Sequence, residues 1–179
     1  QVGQELQNQG ILAIVYALGF ILFYIAVRFD FAFAPGAVLA LIHDVLITVG
    51  VFAICRFEFN LPIIAAILAL VGYSLNDTIV VYDRIRENVV RLRGRSIGDL
   101  VNTSINQTLS RTLLTSGTTL LVVVALLVVG GGIIRDFSIA LCIGVIVGTY
   151  SSVGIAAPSY IYFHERGAKT AEANKRGSA

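Results

Sequence analysis

The sequence predicts an all-α membrane protein: five transmembrane helices and one cytoplasmic amphipathic helix. Three observations carry that expectation. Of 179 residues, 56% are hydrophobic and only 13% charged, where a soluble domain carries about a quarter charged residues. Mean hydropathy is +0.84. The apolar residues also arrive in long unbroken blocks, the pattern of segments surrounded by lipid.

The blocks cover about residues 10–28, 34–55, 60–82, 110–129 and 137–163. At about 1.5 Å per residue, roughly 20 residues cross a hydrocarbon core of about 30 Å, so each block can span. The turns between them are short: "RFDF" at 28–31, "RFEFN" at 56–60 and "GGGIIRD" at 130–136. Pro35 and Pro62 fall in first helical turns, where a missing N–H costs nothing. Pro158 falls inside the fifth block and predicts a kink there. Residues 1–163 therefore read as one transmembrane domain, and 164–179 as a disordered cytoplasmic tail.

The long connection, 83–109, has two parts. "DRIRENVVRLRGR" is basic, and "SIGDLVNTSINQTL" places Ile97, Leu100, Val101 and Ile105 at helical spacing. Ser96 with Asp99 fits a capping box, so this part reads as a surface helix leading into the fourth span. Putting the connection in the cytoplasm gathers Arg28, Arg84, Arg86, Arg91, Arg93, Arg95, Arg166, Lys169, Lys175 and Arg176 on that side. Only Arg56 and Arg135 remain on the other. The positive-inside bias then sets the first residues outside and the last inside. The arginines have no aromatic interleaving, so they read as topology and headgroup contacts with the lipid bilayer, not as a nucleic-acid site.

The chain holds no methionine and begins without a basic signal region, as expected of a piece of a longer polypeptide. Cys55 and Cys142 lie in apolar segments without metal-ligand spacing and read as small apolar side chains. No phosphate loop, nucleophile elbow or zinc-protease pattern appears, which argues against an enzyme and against a metal site.

Asp77 is the conspicuous residue, a carboxylate inside the third span with Asn76 and Thr78 beside it. An ionisable residue at membrane depth is a functional hypothesis by default. Arg111, at the start of the antiparallel fourth span, lies in the same half of the membrane and is its candidate partner. With Arg111, the residues Thr115 and Thr118 or Thr119 make a polar helix face, and Tyr73 sits one turn from Asp77. Together they outline a hydrated path. His43 and Asp44, mid-way along the second span, form a secondary polar element. Being adjacent, they point about 100° apart, and they fit either a proton relay or simple helix packing. Ala140, Gly144, Gly148, Ser152 and Ala156 put a small residue at every fourth position of the fifth span, a surface for close helix packing.

Five stretches resemble a known family: "VGQEL" at 2–6, "LIHDVLITVG" at 41–50, "GYSLNDTIVVYDRIREN" at 72–88, "NTSINQTLSRTLLTSGTTLL" at 102–121 and "IGVIVGTYSS" at 143–152. They are similar to the SecF family of protein-export membrane subunits, of the RND superfamily, which work with SecD and are sometimes fused to it as SecDF. The resemblance covers about residues 2–163. It implies the second to sixth helices of a six-helix half-bundle, taken from the C-terminal part of a SecF or SecDF chain. It further implies a bacterial inner-membrane protein that assists export through the SecYEG translocon, driven by the proton-motive force. The partners implied are SecD, SecYEG, YajC and YidC, with an unfolded secretory polypeptide as substrate. Protons are the coupling ion and no cofactor is expected. Asp77 matches the family's proton-carrying aspartate and Arg111 the arginine associated with it. The alternatives from the residues alone are a proton-coupled exporter half for small molecules or lipids, and a passive membrane scaffold.

Overall fold

A computed structural model describes residues 2–28, 33–57 and 60–177. The chain runs through α1 (Val2–Arg28), α2 (Ala34–Ile54), α3 (Leu61–Arg91), α4 (Ile97–Val129) and α5 (Gly132–Ser151). A π-helical turn, Ser152–Ala156, then leads without a loop into α6 (Ala157–Gly177). Among the described residues, five stretches are long and apolar enough to cross a membrane, the fifth running from α5 through the π turn into α6. The protein is a multi-pass membrane protein built from helices.

Helix ends follow local chemistry. Asn60 caps α3, its side-chain oxygen accepting from the Ile63 N–H at 3.2 Å, with proline in the first turn. Ser96 caps α4: its Oγ accepts from the Asp99 N–H at 3.1 Å and donates to the Asp99 carboxylate at 2.7 Å. Gly94, at φ +94°, makes the turn between α3 and α4 in a conformation other residues rarely adopt. Residues 1, 29–32, 58, 59, 178 and 179 lie outside the described residues, and with them most of the stretch 28–31 expected as a turn.

Three features differ from the sequence-based expectation. Instead of ending near residue 82, α3 continues to Arg91, because Tyr82, Ile85 and Asn88 keep one face buried. The expected surface helix and fourth span are one rod, α4, because Ser104, Thr108, Thr112 and Ser116 hold a single buried stripe across the expected boundary. The tail expected to be disordered continues as helix through Gly177, as its Ala, Glu and Lys content favours. Pro158 stands in the first turn of α6, and the irregularity that accommodates it comes one turn earlier, as the π turn. Proline offers no N–H to the residue four back and its ring crowds that carbonyl, so the preceding turn must give.

At the centre α3 packs on α2, α4 and α5, while α1 touches chiefly α3 and α2. The outer faces of α1 and α4 present Phe20, Phe23, Leu113, Leu114, Leu121 and Val122, as suits lipid or a further helix. One apolar cluster gathers Phe33, Tyr82, Ile85, Leu100 and Tyr160, and a second Phe52, Ile63, Ala66, Ile67 and Ala140. Val45 packs against both, so its neighbour Asp44 lies at their junction.

The small-residue stripe is buried, and at its middle it faces α3. A Cβ at Gly144 would lie 2.6 Å from a Leu70 methyl, and one at Gly148 would lie 3.1 Å from the Ser74 Cβ. Ala140, Ser152 and Ala156 are buried on the same stripe. Its packing partner is therefore within the bundle.

Candidate proton site and its relatives

Asp77 is 9% exposed and is held from two directions. Thr112 on α4 donates to its Oδ1 at 2.6 Å, and Ser152, first residue of the π turn, donates to Oδ2 at 2.5 Å. The carboxylate thus joins three helical segments. No ion pair links it to Arg111 among the described residues, which corrects the expected direct pairing. The reason is angular: Arg111 and Thr112 are neighbours, about 100° apart around α4, and Thr112 takes the position facing Asp77. Arg111 is exposed and lines a cavity of about 410 Å³ with Asn76, Asp83, Glu87, Gln107 and Thr108. That cavity comes within one helical turn of Thr112 and borders Asp77 in sequence through Asn76.

A polar seam extends from this point along the packed helices. Tyr73 donates to Ser116 at 3.0 Å, and the Ser116 and Thr149 hydroxyls lie 2.7 Å apart. Further along, the Asn88 amide donates to Ser104 at 2.8 Å and Gln107 at 2.9 Å. Asp44 is fully buried, its Oδ2 accepting from Ser74 at 2.5 Å and Ser151 at 2.7 Å, with His43 Nδ1 at 3.0 Å from Oδ1. Every buried side-chain N or O among the described residues has a partner.

Of the residues singled out in the sequence, Asp77, Tyr73, Asp44 and Ser152 belong to this seam. Arg111, Thr115 and Thr118 are exposed, and Thr119 is half-buried. The three threonines bond to their own helix backbone: Thr115 to the Arg111 carbonyl, Thr118 to that of Leu114 and Thr119 to that of Thr115. Thr112, Ser116, Ser74, Thr149 and Ser151 were not anticipated. The signal for α4 was present, since Ser104, Thr108, Thr112 and Ser116 also recur every four residues.

A family described as "Protein export membrane protein SecD/SecF, C-terminal" matches residues 1–166. The chain belongs to the SecD/SecF C-terminal family. It is 54% identical over 165 residues to the protein translocase subunit SecF of Koribacter versatilis, covering 92% of this chain and 41% of that one. It is 48% identical over 174 residues to the protein translocase subunit SecDF of Thermus thermophilus, covering 97% of this chain and 24% of that protein. A crystal structure of SecDF in a super-membrane-facing form superposes with a TM-score of 0.88 at 48% identity, over 96% of this chain and 23% of that one. A second, of SecDF from Thermus thermophilus, titled a translocon-associated membrane protein, also gives 0.88, over 91% and 23%. The chain thus spans about half or less of the length of these SecF and SecDF relatives.

Proposed function

We propose that this chain is the helical membrane portion of a SecF-type subunit that uses proton movement to assist protein export. The observation that carries the reading is Asp77, a carboxylate buried at a three-segment junction and held by two hydroxyls from different helices. Such a group can bind and release a proton, and each state favours a different packing. Protonation turns the acceptor into a donor on one oxygen, so Thr112 or Ser152 must redirect its hydrogen. Ser152 has a second acceptor at hand, the Thr149 carbonyl at 3.0 Å. The polar cavity beside Asn76 and Arg111 is the route by which water reaches the site, and Arg111 is the charge that meets Asp77 when α4 turns. A proton falling through 100 mV releases about 2.3 kcal/mol, enough to bias a two-state packing.

The partners on this reading are SecD, separate or fused, and the SecYEG translocon, with YajC and YidC as associated components and an unfolded secretory polypeptide as substrate. The location is the bacterial inner membrane. The reading is tested by export through the full-length protein with the proton gradient imposed and then collapsed by a protonophore at constant ATP. The contribution of this subunit is expected to vanish with the gradient; a contribution that persists would overturn the coupling.

Orientation has its own test. A reporter fused after Ala179 or within 88–95 is expected in the cytoplasm, and one within 130–134 outside. A periplasmic 88–95 segment would reverse the assignment.

A further inference from the structure

Asp44 is a second buried carboxylate, and the proposed function leaves it without a task. It lies on α2, fully out of solvent, while the side chain of its neighbour His43 is 26% exposed. An uncompensated carboxylate out of water costs about several kcal/mol, so its charge must be balanced. The groups facing it are few. From α3 comes the Ser74 hydroxyl, from α5 the Ser151 hydroxyl, and its own helix supplies His43. Tyr150 on α5 stands beside the imidazole, with ring centroids 6.4 Å apart. Ser152, in the π turn, serves Asp77 instead. Among the described residues no lysine, arginine or further acid makes a hydrogen bond or ion pair with either side chain, including from α1 and α6. What the carboxylate has beside it is two hydroxyl donors and the imidazole 3.0 Å away, a geometry in which carboxyl and imidazole can share one proton.

We propose that His43 and Asp44 form a second proton-binding site, coupled to Asp77 through the adjacent hydroxyls of Ser151 and Ser152. The site stands on its own geometry; the coupling rests on the reading of Asp77 given above. Each serine has two acceptors, a carboxylate and a backbone carbonyl behind it. Ser151 reaches Asp44 at 2.7 Å and the Gly148 carbonyl at 3.2 Å; Ser152 reaches Asp77 at 2.5 Å and the Thr149 carbonyl at 3.0 Å. A carboxyl that gains a proton needs an acceptor, and its serine supplies one by turning its own hydrogen to the backbone. Because the two serines are consecutive, at the point where α5 gives way to the π turn, a shift that suits one carboxyl moves the donor of the other. Single π turns inside helices recur at functional sites for this kind of local re-aiming.

The test is infrared titration of the full-length protein with its SecD part, in membranes, reading the carbonyl stretch of protonated carboxyl groups against pH. Asp44→Asn is expected to remove one titrating band and spare another. His43→Gln should keep that band but displace its midpoint, and Asp77→Asn should also displace it. If Asp44→Asn accumulates poorly, Ser151→Ala takes its place and should displace the same midpoint. The site is overturned if Asp44→Asn removes no titrating band, or if neither His43→Gln nor Ser151→Ala moves a midpoint. An Asp44 band indifferent to Asp77→Asn would sustain the site and overturn the coupling. A spectrum whose only titrating band is that of Asp44 would sustain the site and count against Asp77 as proton carrier.

Discussion

Asp77→Asn in the full-length protein is expected to give normal membrane levels and normal association with SecD, with gradient-driven export reduced to the level seen without a gradient. The substitution keeps the shape of the side chain and one carbonyl oxygen for Thr112, now 2.6 Å from Oδ1. The amide nitrogen then faces Ser152, which can accept from it and turn its own hydrogen to the Thr149 carbonyl, 3.0 Å away. Every buried polar atom stays paired, so no desolvation penalty of about 1–3 kcal/mol is incurred. Only the exchangeable proton is lost. Asp77→Glu restores it but adds a methylene where the two oxygens are already held at 2.5 and 2.6 Å, so partial activity at most is expected. Export under an imposed gradient, at matched membrane levels, decides the matter. Undiminished, gradient-dependent activity of Asp77→Asn would remove Asp77 from the proton path. A drop in abundance shared by both variants would make it a structural residue.

The five spans were legible because lipid makes one simple demand: about twenty apolar residues in a row, hydrogen-bonded within the segment. Where a helix leaves the lipid, that demand lapses and its ends become hard to read. Arg84, Arg86 and Arg91 looked like loop, yet α3 carries them because Tyr82, Ile85 and Asn88 stay buried along that stretch. Asp77 was legible for the complementary reason, since a carboxylate in an apolar run is costly and needs a partner. Which partner it has was not. Along α4 two ladders share the same period, Arg111–Thr115–Thr119 and Thr108–Thr112–Ser116. Periodicity fixes neither ladder's direction; the rotation of α4 against α3 and α5 does, and that depends on shapes the whole bundle supplies. For His43 and Asp44 the angular argument said that at most one could face a single partner squarely; it did not say which, and it is Asp44 that is fully buried.

Gly148→Leu should be the most damaging single change outside the carboxylates, with Val147→Leu close to neutral. In lipid there is little hydrophobic force between helices, so association relies on close packing and hydrogen bonds. At Gly148 a mere Cβ would sit 3.1 Å from the Ser74 Cβ and 3.5 Å from its Cα, so a leucine must push α3 away from α5 as a whole. That separation pulls Ser74 and Ser151, which sit on opposite sides of the contact, away from Asp44. The loss therefore exceeds the 1–3 kcal/mol or so of ordinary overpacking, since a buried carboxylate loses donors as well. Gly144 offers the contrast. There the obstacle is the isobutyl end of Leu70, at 2.6–3.0 Å, and not a backbone. Gly144→Ala should cost about 1–3 kcal/mol, and the double variant with Leu70→Ala should cost less than the sum of the two single ones, because the trimmed side chain leaves room for the added methyl; no trimming at Ser74 should offset Gly148→Leu. Thermal unfolding of the full-length protein in detergent, with SecD association alongside, reads both. Equal stability of Gly148→Leu and Val147→Leu would mean that α3 and α5 do not depend on this close approach. Strict additivity of Gly144→Ala and Leu70→Ala would mean that their contact tightens through the backbone along the whole stripe.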